Sequence, residues 1–179
     1  MKHIWSPWRM EYIQSFKKEE GCIFCKEISL PDGPGNLIVH RGQFNCVILN
    51  RFPYTSGHIM VVPYQHCSLL EELDPESRSE MMELASQAVC LLQVDYKSEG
   101  FNIGINIGEA SGAGIAEHLH LHIVPRWQGD TNFMSTLGET RVLPEMLEES
   151  YTRISEAWKG VKSAKDTPET IFDDSEKNK

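Results

Sequence analysis

The chain has 179 residues, a mass of 20.4 kDa and a formal net charge of −9, with 40% hydrophobic and 24% charged residues. That length suits one domain with short appendages, and the composition is that of a globular protein rather than a disordered one. The acidic balance excludes a broad electrostatic coat on nucleic acid or an anionic membrane, but not a small anionic substrate bound at a local site.

No apolar run approaches the roughly 20 residues of a membrane span, and the first residues lack a signal-peptide pattern, so a cytoplasmic protein is expected. Residues 5–17 predict a short helix opened by Ser6-Pro7, part of an N-terminal arm over residues 1–20. Residues 21–29 (GCIFCKEIS) predict a turn-rich knuckle, and PDGPG at 31–35 a loop. Leu37–His40 and Phe44–Leu49 read as strands joined by a hairpin at Arg41-Gly42-Gln43, and Gly57–Pro63 as a third strand. Residues 75–94 predict a long helix with Asp74 as N-cap, Pro75 at its first position, and Met81, Leu84, Ala85, Ala88, Leu91 and Leu92 on one stripe.

A fourth strand is expected over Phe101–Ile107, followed by a small-residue loop, GEASGAG, at 108–114. Residues 117–125 alternate and predict a fifth strand. A final helix is expected over about 143–158, with Leu143, Met146, Leu147, Ile154 and Trp158 on its stripe. Residues 160–179 read as a charged tail, leaving 21–159 as the domain. Several strands broken by one long helix indicate an α+β fold with a mostly antiparallel sheet.

The sharpest chemical feature is the run His118, His120 and His122. Period-two alternation on a strand would set the three imidazoles in a row on one face, about 7 Å apart, with Leu119, Leu121 and Ile123 facing a core. An imidazole serves as nucleophile, acid or base near neutral pH, and the middle one of three has a neighbour on each side. A metal-binding run is the alternative use. Upstream, Gly108, Gly112 and Gly114 permit close backbone approach to phosphate, and Ser111 adds a hydroxyl. Cys22 and Cys25 have zinc-knuckle spacing, yet a closed tetrahedral site needs two further ligands; free thiols or a redox pair are the other readings. The remaining cysteines, Cys46, Cys67 and Cys90, are isolated among apolar neighbours, as suits a reducing compartment.

The stretch His118-Leu119-His120-Leu121-His122-Ile123-Val124 resembles the histidine-triad (HIT) motif. The resemblance extends to CIFCKEI at 22–28, ILNRFPYTSGHIMVVPYQH at 48–66 and NIGEASGAG at 106–114. WSPWRMEYI at 5–13 and VPRWQGDTNF at 124–133 are similar to bacterial members of the diadenosine polyphosphate hydrolase and phosphorylase branch. The resemblance implies a HIT-like fold with a five-stranded sheet, a homodimer, and cleavage of dinucleoside polyphosphates through a covalent nucleotidyl-histidine. His120 would be the nucleophile, flanked by His118 and His122 and supported by His58. Asn50 would contact the ribose, while Asn106, Ser111 and Gly112 would lie along the phosphates, with Arg126 a cationic candidate. Arg51 is a second such candidate, although a surface ion pair is the commoner fate of either arginine. Val39, Phe44, Val47, Leu49 and Ile59 are candidates for a base pocket or for plain core. Zinc-bearing relatives point to Cys22, Cys25, His66 and His118 as a structural metal site, and no organic cofactor is implied. Rival functions are a nucleoside phosphoramidase of the same family, a nucleotide-binding protein without turnover, and a zinc-dependent hydrolase using the three histidines as ligands.

Charge is distributed to suit this reading. Residues 36–70 and 101–134 together carry three acids and three bases and hold six of the seven histidines, so the net negative charge lies elsewhere.

Overall fold

The computed structural model describes residues 21–130 and 145–161. The expected helix at 5–17, Leu143, and nearly all of the expected tail lie outside the described residues. Strand β1 (Ile38–Arg41), β2 (Asn45–Leu49), β3 (Ile59–Pro63), β4 (Gly100–Ile105) and β5 (Leu121–Arg126) form one sheet in the order β1-β2-β3-β5-β4, with every neighbouring pair antiparallel. Helix α1 spans Ile23–Ser29, α2 Pro75–Asp95 and α3 Leu147–Lys159. The α+β, five-stranded antiparallel expectation is met.

Register divides the sheet into two faces with different work. Leu49, Ile59, Ile123 and Ile103 stand opposite one another across four strands, as do Val47, Val61, Leu121 and Ile105. This face carries α2, whose six predicted stripe residues are all buried. Burying such a stripe supplies about 1.5–3 kcal/mol per large side chain. Helix α3 closes the β1 end, where Trp158 stacks on His40 with ring centroids 5.1 Å apart. The opposite face carries Ile48, Met60, His122 and Gly104 in register. A bulge between Ile38 and His40 lets Ile38 join Ile48 here while His40 turns to the helices.

The β1–β2 turn is pinned from α2. The Glu80 carboxylate accepts hydrogen bonds from the backbone N–H groups of Gln43 (2.6 Å), Phe44 (2.7 Å) and Asn45 (2.8 Å), and from Asn45 Nδ2 (2.8 Å). A Cβ at Gly42 would lie 2.7 Å from Glu80 Oε1, so a side chain there would displace the carboxylate from this position.

Several local expectations are corrected. The knuckle at 21–29 is a helical turn with Cys22 at its N-cap position. Asp74 stands at the N-cap of α2 without a side-chain capping bond. Met146 is not on the α3 stripe; it is the exposed N-cap residue, and its N–H donates to the Glu149 carboxylate. The fifth strand begins at Leu121 rather than 117, because Leu119 N–H bonds to the Cys67 carbonyl (2.7 Å) and draws the preceding residues off the ladder. No helix among the described residues is long and apolar enough to cross a membrane.

Candidate active site

A cleft of about 810 Å³, open solvent at its mouth included, lies on the sheet face opposite α2. Its apolar wall comes from Ile48 and Met60 on the sheet, Ile23 and Phe24 on α1, Leu37, Phe52 and Ile115. Its polar wall comes from Asn50, Asn106, His120, His122 and the backbone at Gly112 and Gly114. Gly112 has φ +83°, the left-handed region that favours glycine, and ends a single 3-10 turn over Glu109–Ser111.

The three histidines of the motif do not stand in a row. His118 precedes β5, is fully buried, and does not line the cleft. Its ring turns the other way, towards Cys22 and Cys25. His120 and His122 remain at the cleft with ring centroids 4.7 Å apart. The strand geometry expected for all three therefore holds only from Leu121 onward.

Hydrogen bonds assign a tautomer to each ring. His120 Nδ1–H donates to the His118 carbonyl at 2.8 Å, which leaves the lone pair on Nε2. Burial pushes the His120 pKa down, so the ring is held neutral. His58 Nδ1 accepts the Tyr54 N–H at 3.1 Å; its Nε2–H then donates to His122 Nδ1 at 3.0 Å. His122 is thereby left with its hydrogen on Nε2. Asn50 is buried beside this relay, with Nδ2 3.3 Å from His58 Nδ1 and Oδ1 accepting the Phe52 N–H at 3.0 Å. The cleft thus offers one imidazole nitrogen as a lone-pair donor and its neighbour as a hydrogen donor.

His118 belongs to a second constellation. Its Nε2–H donates to the Pro63 carbonyl at 2.9 Å, leaving the Nδ1 lone pair 3.2 Å from Cys22 Sγ, 3.6 Å from Cys25 Sγ and 3.3 Å from His66 Nδ1. Cys25 Sγ lies 3.4 Å from His66 Nδ1, and all four donor atoms fall within 4.8 Å of one another. A tetrahedral zinc with ordinary Zn–N and Zn–S bonds has N···N edges of about 3.3 Å and N···S edges of about 3.6 Å. The four spacings between 3.2 and 3.6 Å match that set, so these residues fit a zinc ion. A carbonyl behind the ligating histidine is the usual way of fixing such a ring. Burial pushes the Cys22 thiol up to about 11, which disfavours a bare thiolate and suits a site whose charge a cation would balance.

Other expected residues fall elsewhere. Arg126 does not line the cleft. Its guanidinium is clamped by Asp130 (2.6 and 2.8 Å) and Asn102 (2.7 Å) at the far end of β5. Ser111 Oγ donates to the Gly108 carbonyl at 2.7 Å and is turned from the cleft. Val39, Phe44, Val47 and Ile59 are not in the cleft wall; Val47 and Ile59 belong to the helix-covered face. Leu49 alone of that group borders the cleft. Sequence reasoning missed Phe24, Leu37, Ile48 and Met60. Ile48 and Met60 share the parity and register of His122, a signal available only once strand pairing is known.

A family model described as the HIT domain matches residues 34–129. The chain belongs to the HIT family. It is 35% identical over 166 residues to the AP-4-A phosphorylase of Mycobacterium tuberculosis, a match that covers 88% of this chain and 85% of that one. Among solved structures, a Zn-bound histidine triad family protein from Mycobacterium smegmatis superposes with a TM-score of 0.63 at 28% identity, covering 78% of this chain and 94% of the other. The diadenosine triphosphate hydrolase of Plasmodium falciparum superposes with a TM-score of 0.56 at 16% identity over 85% of this chain and 92% of the other, a likeness of fold alone. The HIT motif of this chain is therefore split, with one histidine in a Cys2His2 cluster that fits zinc and two at the cleft.

Proposed function

We propose that this protein is an enzyme that cleaves dinucleoside polyphosphates such as diadenosine tetraphosphate through a covalent nucleotidyl-His120 intermediate. The observation that carries the reading is His120 itself: a buried, neutral imidazole whose Nδ1–H is tied to a carbonyl at 2.8 Å, leaving Nε2 as the reactive nitrogen at a cleft. Likeness to a phosphorylase of diadenosine tetraphosphate over most of the chain supports the substrate class.

In the first step, His120 Nε2 attacks a phosphorus, forming the N–P bond as the bond to the bridging oxygen breaks. Positive charge developing on the ring is stabilised through Nδ1–H by the His118 carbonyl. His122 Nε2–H donates to the departing phosphate oxygen, and its orientation is maintained by His58. Asn106 and the backbone at Gly112 hold the phosphates, and Asn50 serves the ribose. In the second step an acceptor oxygen attacks the same phosphorus and releases His120. Water as acceptor gives AMP and ATP from diadenosine tetraphosphate; inorganic phosphate gives ADP and ATP.

Cys22, Cys25, His66 and His118 would hold a zinc ion whose role is structural, tying α1 to the segments after β3 and before β5. The reading also includes residues 21–159 as the HIT domain between an N-terminal arm and a C-terminal tail, a cytoplasmic location, and a homodimer. The outer edge of β4, with Ile103 45% exposed, and nearby Ile107 at 40% offer an apolar surface for the second copy.

The test is a product assay on diadenosine tetraphosphate with and without phosphate. ADP formed only with phosphate supports a phosphorylase, and AMP with ATP in its absence a hydrolase. Failure to cleave it, with cleavage of adenosine phosphoramidate instead, would replace the polyphosphate reading by the phosphoramidase one.

A further inference from the structure

Gly104 is a glycine that the fold itself does not call for. It lies inside β4, exposed, with no left-handed φ. A Cβ built on it would meet nothing within 4 Å. Glycine weakens a strand interior, and its usual reasons there are a bulge, a sharp bend or the close approach of a ligand or another backbone. The pairing of β4 with β5 runs from Gly100 to Ile105 without a register shift, so no bulge accounts for it.

The position of Gly104 says what approaches. It is the Cα partner of His122, and Met60 and Ile48 continue the same row across β3 and β2 on the cleft face. Neighbouring strands lie about 4.8 Å apart, so the row runs roughly 14 Å from Ile48 to Gly104. One end of the row is the apolar part of the cleft, with Phe24, Ile48 and Met60. The middle is His122, whose hydrogen is on Nε2. The enclosed part of the cleft ends there, and Gly104 lies just beyond it in the open. In a displacement at phosphorus by His120, the nucleoside that stays on the phosphorus takes the apolar end. The group that departs leaves on the far side and receives its hydrogen bond from His122. The next residue past His122 in that direction is Gly104. Its same-face neighbours along the chain are Asn102 and Asn106, so this stretch of floor carries amides and no apolar side chain. Such a floor suits a phosphate chain better than a packed protein core.

We propose that Gly104 sets leaving-group specificity: its missing side chain leaves a flat floor beside His122 on which the departing nucleoside polyphosphate lies. The proposal rests on the reading of the cleft as a dinucleoside polyphosphate site and names the residue that admits the second nucleotide. A second copy paired along the outer edge of β4 would use backbone groups in the plane of the sheet and would leave this face open.

The experiment is calorimetric binding of AMP and of diadenosine tetraphosphate to the full chain carrying His120→Asn, which removes the nucleophile, alone and combined with Gly104→Ala or Gly104→Val. AMP occupies only the apolar end and reports that the cleft is intact. Diadenosine tetraphosphate is expected to bind the His120→Asn chain more tightly than AMP does. Adding Gly104→Val should weaken it by about tenfold or more, with Gly104→Ala in between, while AMP affinity stays within about threefold. Parallel loss of both ligands, or loss of neither, overturns the proposal. So does equal binding of the two ligands by the His120→Asn chain, a measurement that needs no change at Gly104. Sedimentation of the same samples tests the other occupant: a changed oligomeric state in Gly104→Val assigns the glycine to a contact between copies and overturns the proposal. AMP that binds neither the wild-type chain nor its His120→Asn variant would overturn the nucleotide reading of the cleft and this proposal together, whereas AMP binding without the selective loss of diadenosine tetraphosphate overturns this proposal alone.

Discussion

Removing the metal from the Cys22, Cys25, His66 and His118 cluster should loosen the fold far more than it alters the chemistry. The magnitude follows from the chain segments that the cluster joins. Cys22 and His118 are 96 residues apart, and Cys25 and His66 are 41 apart. A cross-link spanning about 100 residues removes roughly 4–5 kcal/mol of unfolded-chain entropy, and one spanning 41 residues somewhat less. For a domain of this size, each kcal/mol corresponds to about 2–4 °C in Tm, so the longer link alone is worth roughly 10–20 °C, and stripping the metal should lower Tm by at least that much. The assay is thermal unfolding of protein purified without chelator, before and after chelation, with metal analysis of the same samples. Nucleotide affinity should fall alongside, because α1 carries Phe24 against His120 with ring centroids 5.0 Å apart. Chelated protein that is still folded below its new Tm should retain turnover at saturating substrate. Less than one zinc per two chains in the purified protein, or a Tm shift under about 2 °C, would refute the reasoning. Immediate loss of turnover in folded, chelated protein would favour the zinc-hydrolase alternative.

Other consequences are as direct. His120→Asn keeps a polar group of similar size but no nucleophilic imidazole, so cleavage should fall by about 10³-fold or more, and no phosphorus should become attached to the protein. Persistence of the wild-type rate would exclude the covalent route. Glu80→Gln leaves only one good acceptor for four donors at the β1–β2 turn and should cost about 1.5–3 kcal/mol in denaturant unfolding, with little change in KM. His40 is pushed below its ordinary 6.5 by burial, with a smaller opposing effect of the Glu80 charge. Its folded pKa is depressed, so its neutral form contributes stability above about pH 6.5 that is lost as pH falls through the lower folded value. The drop in Tm between pH 7.5 and 5.5 should therefore be smaller in His40→Gln than in wild type, and an equal drop would show that His40 stays solvated.

Much of the fold was legible because its signals were local and repeated. The α2 stripe from Met81 to Leu92 occupies the core as its 3.6-residue period requires, and β2 and β3 lie within two residues of their apolar runs. The Cys22-Cys25 pair and the histidine run stood out by spacing, but that His66 and His118 complete a cluster with the cysteines came only through resemblance, since Cys22 and His118 are brought together from opposite parts of the chain. The cleft wall was not legible. Val47 and Ile48 are equally apolar neighbours, and only pairing with β3 decides that Val47 meets the helices while Ile48 faces the cleft. Helix α1 was obscured because a seven-residue helix has too little intrinsic stability to announce itself; tertiary contacts hold it.

The histidine run shows how alternation can be right about residue type and wrong about geometry. Three identical side chains at period two on a regular strand would differ only in that the middle one has an imidazole on each side. The bend before Leu121 breaks that pattern. His118 gives Nε2–H to Pro63 and keeps Nδ1 open; His120 gives Nδ1–H to the His118 carbonyl and keeps Nε2 open; His122 receives at Nδ1 from His58 and keeps its hydrogen on Nε2. One residue thus supplies its ring to the Cys2His2 cluster and its carbonyl to His120. A metal bound there would fix the His118 ring and with it the peptide that sets the His120 tautomer, so the cluster and the His120 ring share a single rigid element. A flat strand would have placed three imidazoles closer in character and left no carbonyl beneath the middle one. The departure from regular strand is what separates the imidazole at the Cys2His2 cluster from the two at the cleft and gives those two opposite tautomers.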